Sequence, residues 1–217
     1  MRLLITGARG LLGSAVTAEA RRRGLGVLPL PREELDITDA EAVRAAVHEA
    51  RPDIILNCAA FSNVDRAEKE PEDALAVNRD GPRNLAESSA EADSLLVHVS
   101  PDYVFDGKKK EPYLPSDQPA PLNLYGISKL SGEAEVRESG CRHLIVRTSW
   151  LFGAGRNDFV DLVRSALLEG EDPLTMVDDQ VSRPTWSRSL AEALLALSAA
   201  GEEGILHVAN RGTCSRL

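Results

Sequence analysis

The chain lacks a cysteine framework, an excess of basic charge and a long apolar run. Its three cysteines, Cys58, Cys141 and Cys214, are scattered and odd in number. That pattern excludes a disulfide scaffold and fits a reducing cytoplasm. No Cys/His cluster has zinc-ligand spacing, so no metal site is expected. Lys and Arg number 25 against 34 Asp and Glu, a net charge of −9. An acidic surface excludes non-specific binding to nucleic acid or to an anionic membrane, although local phosphate recognition stays open. No apolar stretch approaches the roughly 20 residues that span a bilayer. The N-terminal apolar run is too short for a signal peptide and becomes a glycine loop at once.

What the sequence does have is alternation. Short apolar runs at Leu3–Ile5, Val27–Leu30, Asp53–Asn57, Leu95–Ser100 and Leu144–Arg147 read as strands. Between them lie helical patterns at Leu11–Arg23, Ala40–Ala50 (with Asp39 as N-cap) and Pro71–Ala92, and a helix around Tyr125. Strands alternating with helices predict an α/β protein with a Rossmann-type, doubly wound parallel sheet. Gly107–Pro121 carries three Lys and four Pro and reads as a surface loop, with Lys108–Lys110 at a solvated tip. Helices are expected over Phe159–Glu169 and Ser187–Ala199, and a late strand over Gly204–Asn210. The length fits one domain plus an appendage: a dinucleotide-binding domain over 1–150 and a partial substrate-binding region over 151–217 packed on it. The chain stops soon after Gly212, where another helix is expected, so its C-terminal part is expected to be incomplete.

Two motifs carry chemistry. Gly7, Gly10 and Gly13 form Gly-x-x-Gly-x-x-Gly between a strand and a helix. Glycines there permit a tight turn and close approach of backbone to a pyrophosphate, while the N–H groups of Leu11 and Leu12 begin the helix that faces it. The second is Tyr125-Gly126-Ile127-Ser128-Lys129, which sets a phenol and an ammonium on one helix face. The Lys129 charge is expected to lower the Tyr125 pKa and make it a usable acid. A Tyr-x-x-x-Lys pair alone also arises from a half-buried ring beside a solvated charge; the glycine fingerprint upstream is what gives it meaning.

The cofactor is expected to be NADPH or NADH. The second strand ends Leu30-Pro31-Arg32, with no acid to bind a ribose 2′-hydroxyl. Arg9 and Arg32 suit a 2′-phosphate, or they are solvated surface arginines. Asp36 and Ile37 line the adenine pocket, or Asp36 serves a turn ahead of the Asp39 cap. Asn57, Ala59 and Ala60, at the end of the third strand, let a flat cofactor lie on the backbone. Asn78, a poor helix residue, braces Lys129 through water or bonds to a neighbouring loop.

The quoted motifs, with Val64-Asp65-Arg66-Ala67-Glu68, Asp102-Tyr103-Val104-Phe105-Asp106-Gly107 and Arg147-Thr148-Ser149-Trp150, resemble the dTDP-4-dehydrorhamnose reductases. These are a branch of the extended short-chain dehydrogenase/reductases, and the resemblance covers nearly the whole chain. It implies reduction of the 4-keto group of dTDP-4-dehydro-L-rhamnose. Tyr125 protonates the alkoxide, Lys129 holds the nicotinamide ribose, and Val64, Ser100, Asp102, Tyr103 and Trp150 line the sugar pocket. It also implies a cytoplasmic enzyme, with a homodimer allowed for. One departure stands out. The family has Ser or Thr before Asp-Tyr, and this chain has Pro101. Proline offers neither hydroxyl nor N–H to the substrate oxygen, and loss of one such donor typically costs ~3 kcal/mol. Pro101 is expected just beyond the last strand pairing. Ser100 can replace the missing hydroxyl only if the strand end is irregular. A slow enzyme is therefore expected, or a non-catalytic NADP-binding module resembling the regulatory β subunit of methionine adenosyltransferase. A nucleotide-sugar epimerase shares the glycines and Tyr-x-x-x-Lys, and tightly retained NAD⁺ would mark it.

Overall fold

The computed structural model describes residues 1–154, 159–170 and 179–215. Its elements run β1 (Arg2–Thr6), α1 (Leu11–Arg22), β2 (Gly26–Leu30), α2 (Ala40–Ala50), β3 (Ile54–Asn57), α3 (Val64–Lys69) and α4 (Pro71–Leu75). A π-helical turn (Ala76–Asp80), α5 (Gly81–Glu91), β4 (Leu95–Pro101), a 3₁₀ turn (Asp102–Val104), α6 (Leu124–Glu138) and β5 (His143–Thr148) follow. The chain continues through β6 (Leu151–Phe152), α7 (Phe159–Leu168), β7 (Val181–Ser182), β8 (Thr185–Trp186), α8 (Ser187–Ala200), β9 (Gly204–His207) and β10 (Cys214–Ser215).

One sheet of six parallel strands, ordered β2-β1-β3-β4-β5-β9, forms the centre. Alternation along β1 divides its side chains. Leu3 and Ile5 join a core with Val16 of α1 and Leu190 and Leu194 of α8, whereas Leu4 faces Val43 of α2, Leu85 of α5 and Val136 of α6. Both faces are thus covered, as a parallel sheet requires. The order reverses between β1 and β3, so the crevice at their C-terminal ends is where ligands of such sheets bind. Pro29 lies on edge strand β2, opposite Ile5, where its missing N–H is tolerated. β9 and α8 belong to this same sheet and core, although they come after residue 150. Two small ladders lie outside it: β6 with β8, and β7 with β10.

Most expected elements are present, including the Asp39 cap, whose carboxylate accepts from Ala42 N at 3.0 Å. Three differences stand out. The helix expected over 71–92 is broken at the π-helical turn. Pro82 has no N–H to give the Asn78 carbonyl, so the α-helical ladder cannot run through. Pro101 does not lie beyond the pairing; it ends β4 in register with Thr148. β3 stops at Asn57, opposite His98, so only β5 flanks Pro101 and a missing N–H is tolerated there. The late strand ends at His207 rather than Asn210. The loop over 107–121 holds no helix or strand, and Lys109 in it pairs with Asp117.

Candidate active site

The glycine loop is shaped by what its residues lack. Gly7 has φ +61°, and a Cβ there would come within 2.7 Å of the Ala59 backbone. A Cβ on Gly13 would stand 2.2 Å from the Gly7 carbonyl oxygen, a collision with backbone that cannot yield. Gly10 donates its N–H to that carbonyl at 2.8 Å, and α1 then begins with no acid in its first turn. Uncapped N–H groups and the positive end of the helix therefore face the cleft. The cleft, about 210 Å³, runs from Gly7 and Gly10 past Arg32, Asp36 and Ile37 to Ala59 and Ala60. This is the cradle a dinucleotide needs, and the residues present fit one.

Individual residues divide as follows. Arg9 and Arg32 line the cleft, each near an acid: Arg9 donates to Glu33 at 3.1 Å, and Arg32 lies 3.5 Å from Asp36. Both arginines are exposed, and pairs of that kind are worth little, so a phosphate can displace the carboxylates cheaply. Asp36 takes both readings at once. It lines the cleft and also accepts from Thr38 N and Oγ1, bonds that hold its carboxyl below the usual range. Leu12 is buried in the core, so only its backbone can meet a ligand. Asn57 does not line the cleft with its side chain. Its Oδ1 accepts from Thr6 Oγ1 at 2.7 Å and Ala59 N at 3.1 Å. Asn78 bonds to a neighbouring loop: Oδ1 accepts from Phe61 N, while Nδ2 lies 3.0 Å from both Phe61 O and Ser128 Oγ.

The second half of the site stands on α6. Asn123 caps the helix by accepting from Gly126 N at 2.8 Å. Gly126 permits close approach, because a Cβ there would be 2.2 Å from the Tyr103 carbonyl oxygen. Tyr125 is thereby brought against the 3₁₀ turn, with its ring edge-on to Tyr103 at 5.4 Å between centroids. Burial, the Asp102 carboxylate and Tyr103 push the Tyr125 phenol above its ordinary pKa. This differs from the expected lowering by Lys129. The Lys129 ammonium is turned to β4, where Nζ donates to the Val99 carbonyl at 2.9 Å. Burial pulls its pKa down to about 8, opposed by Glu133 and Cys58.

Around this pair, Ser100 is buried and its hydroxyl has no hydrogen-bond partner among the described residues. Asp102 accepts from Ser182 Oγ at 3.0 Å, so β7 reaches the site from the later part of the chain. Val64 is half-buried at the start of α3. Trp150 is half-buried too, at φ +41°, a conformation uncommon outside glycine. Sequence reasoning missed Glu68, whose carboxylate accepts from Leu124 N at 2.8 Å and fastens α3 to the start of the Tyr125 helix. It also missed Gly132, packed on the Asn78 carbonyl, and His98, buried between Asn57 and Lys129. Among the described residues no cluster of His, Cys, Asp and Glu could hold a metal ion. No helix among them is long and apolar enough to cross a membrane.

Comparison with known proteins agrees with this geometry. The model of the RmlD substrate binding domain matches residues 1–217. A dTDP-4-dehydrorhamnose reductase of Mycobacterium tuberculosis is 44% identical over 221 residues, which cover 99% of this chain and 72% of that protein. One from Streptomyces griseus is 45% identical, covering 97% and 71%. Among solved structures, a Bacillus anthracis dTDP-4-dehydrorhamnose reductase in complex with NADP superposes with a TM-score of 0.95 at 40% identity, over 99% of this chain and 76% of that one. A match along nearly all of this chain at such identity, on a glycine cradle and a Tyr-x-x-x-Lys helix set side by side, places this chain in the dTDP-4-dehydrorhamnose reductase family.

Proposed function

We propose that this protein reduces the 4-keto group of dTDP-4-dehydro-L-rhamnose to give dTDP-L-rhamnose, using NADPH or NADH, in the cytoplasm. The observation that carries the reading is the placement of Tyr125. Gly126 lets its helix press on the Tyr103 backbone, which sets the phenol beside the Asp102–Tyr103 turn at the C-terminal edge of the sheet. The dinucleotide, when bound, supplies the hydride.

The remaining work falls to side chains of this protein. Tyr125 keeps its proton on Oη at neutral pH, because burial and the Asp102 charge disfavour phenolate. A phenol so held releases the proton only to a strong base, which a newly formed alkoxide is. Lys129 offers a positive charge below pH about 8 and stands one helical turn from Tyr125. Gly7, Gly10 and the start of α1 would hold the pyrophosphate, with Arg9 and Arg32 at the adenosine ribose. Val64, Ser100, Asp102, Tyr103 and Trp150 would orient the sugar. The dinucleotide half spans 1–150, and 151–217 supplies part of the substrate side through Ser182, while α8 and β9 complete the sheet.

The test is NADPH consumption with dTDP-4-dehydro-L-rhamnose generated in situ. Wild-type turnover is expected, with a loss of about 10²–10⁴ in Tyr125→Phe and dinucleotide affinity nearly unchanged. Equal turnover in the variant would sink the assignment. No turnover in wild-type protein that binds NADPH would shift the reading to a binding module in which Pro101 has ended catalysis.

A further inference from the structure

Behind Lys129 lies a buried polar chain with a fixed direction. The Asn57 amide is oriented by Ala59 N–H, an obligatory donor, and by Thr6 Oγ1, both reaching Oδ1. Nδ2 is therefore the atom that faces His98 Nδ1, at 3.1 Å. An amide nitrogen can only donate, so Nδ1 must accept. The neutral ring then carries its proton on Nε2, the nitrogen that lies 3.5 Å from Lys129 Nζ. His98 is fully buried, and burial together with the Lys129 charge keeps it neutral.

We propose that His98, locked as the Nε2–H tautomer by Asn57, is a positioning residue for Lys129: it presents a donor rather than an acceptor to Nζ and so favours the uncharged amine. An amine can accept from Nε2–H while donating to the Val99 carbonyl; an ammonium has no lone pair for the first of these contacts. Other titratable groups facing Lys129 are Cys58, just after β3, and Glu133 on α6, which is paired with the buried Arg147 of β5. Tyr125 lies one turn earlier on α6 itself. The tautomer therefore sets the pH at which the charge beside Tyr125 disappears. Only that consequence rests on the reductase reading; the tautomer does not.

The experiment uses the whole protein, labelled with ¹⁵N-histidine and ¹³Cε-lysine, without added dinucleotide. Resonance spectra should show His98 protonated on Nε2 alone across the neutral range. Asn57→Asp replaces the donor with an acceptor and should move the proton to Nδ1, raising the Lys129 proton affinity by about tenfold. His98→Gln supplies an acceptor and an N–H at matching positions and should hold that affinity within about twofold. An Nδ1–H tautomer in the wild type overturns the proposal. So does a Lys129 shift in Asn57→Asp with His98 unchanged, since the new carboxylate alone would then explain it. If turnover is measurable, its alkaline limb should follow the Lys129 midpoint in each variant. The resonances are read without turnover, so failure of the reductase assignment leaves this test intact.

Discussion

The two halves of the site are built from opposite materials. On the α1 side the working parts are backbone groups, and side chains are absent where they would obstruct: Gly7, Gly10 and Gly13 leave N–H groups bare. On the α6 side the working parts are buried side chains, held by a network through Thr6, Asn57, His98 and Lys129. A backbone cradle tolerates almost no added atom but is indifferent to protonation. A side-chain network tolerates isosteric change but responds to pH. The two halves should therefore fail in different ways.

The sharpest break in that comparison is Gly13→Ala. Its Cβ would strike the Gly7 carbonyl oxygen, so the loop must move. Dinucleotide binding should weaken by about a hundredfold or more, equivalent to roughly 3 kcal/mol, as read by calorimetric titration, and the Lys129 titration should stay in place. Pro101→Thr acts on the other half. The backbone there is extended, at φ −91° and ψ 168°, which threonine adopts readily. The rate should rise by about a hundred- to a thousandfold with dinucleotide affinity unchanged, in line with the worth of one oxyanion donor. No gain would mean that Ser100 or another donor already serves the substrate oxygen.

Lys129 gives the pH signature that the cradle cannot. Its folded pKa, about 8, lies below its ordinary 10.5. Between those values the unfolded chain binds more protons, so stability rises with pH through this window and is lowest below it. On the proposed mechanism turnover draws on the ammonium and should fall as pH rises through about 8. Urea midpoints and rates measured on the same samples should therefore move in opposite directions above pH about 8. The smallest effect is expected from Glu68→Ala. One exposed carboxylate–N–H bond at the start of α6 is lost, which should cost about 1 kcal/mol of stability. The accompanying change in rate should be modest, and an unchanged denaturation midpoint would remove Glu68 from the account.

Legibility followed the range of the interaction. The strands were readable because a doubly covered parallel strand is a short apolar run, as in Leu3–Ile5 and Ile54–Leu56. The glycine turn and the Tyr125–Lys129 spacing were readable because their logic is complete within a few residues. The π-helical break could have been foreseen from Gly81-Pro82 inside a long helical pattern. What stayed hidden joins distant positions: Glu68 to Leu124, Asn57 to His98, and Asp102 to Ser182. Lys129 shows the limit most directly. Helical spacing set its Cα near Tyr125, but the Val99 carbonyl and burial, which no local pattern encodes, decided where its ammonium points.

Pro29 on β2 has a consequence beyond its own pairing. A bare edge strand is a template on which another chain can extend the sheet, through domain swapping or fibril growth. With no N–H at Pro29, the fourth of its five residues, β2 cannot complete such a ladder. The sheet is blunted at that edge. One imino acid thus acts as a guard against self-association at that edge.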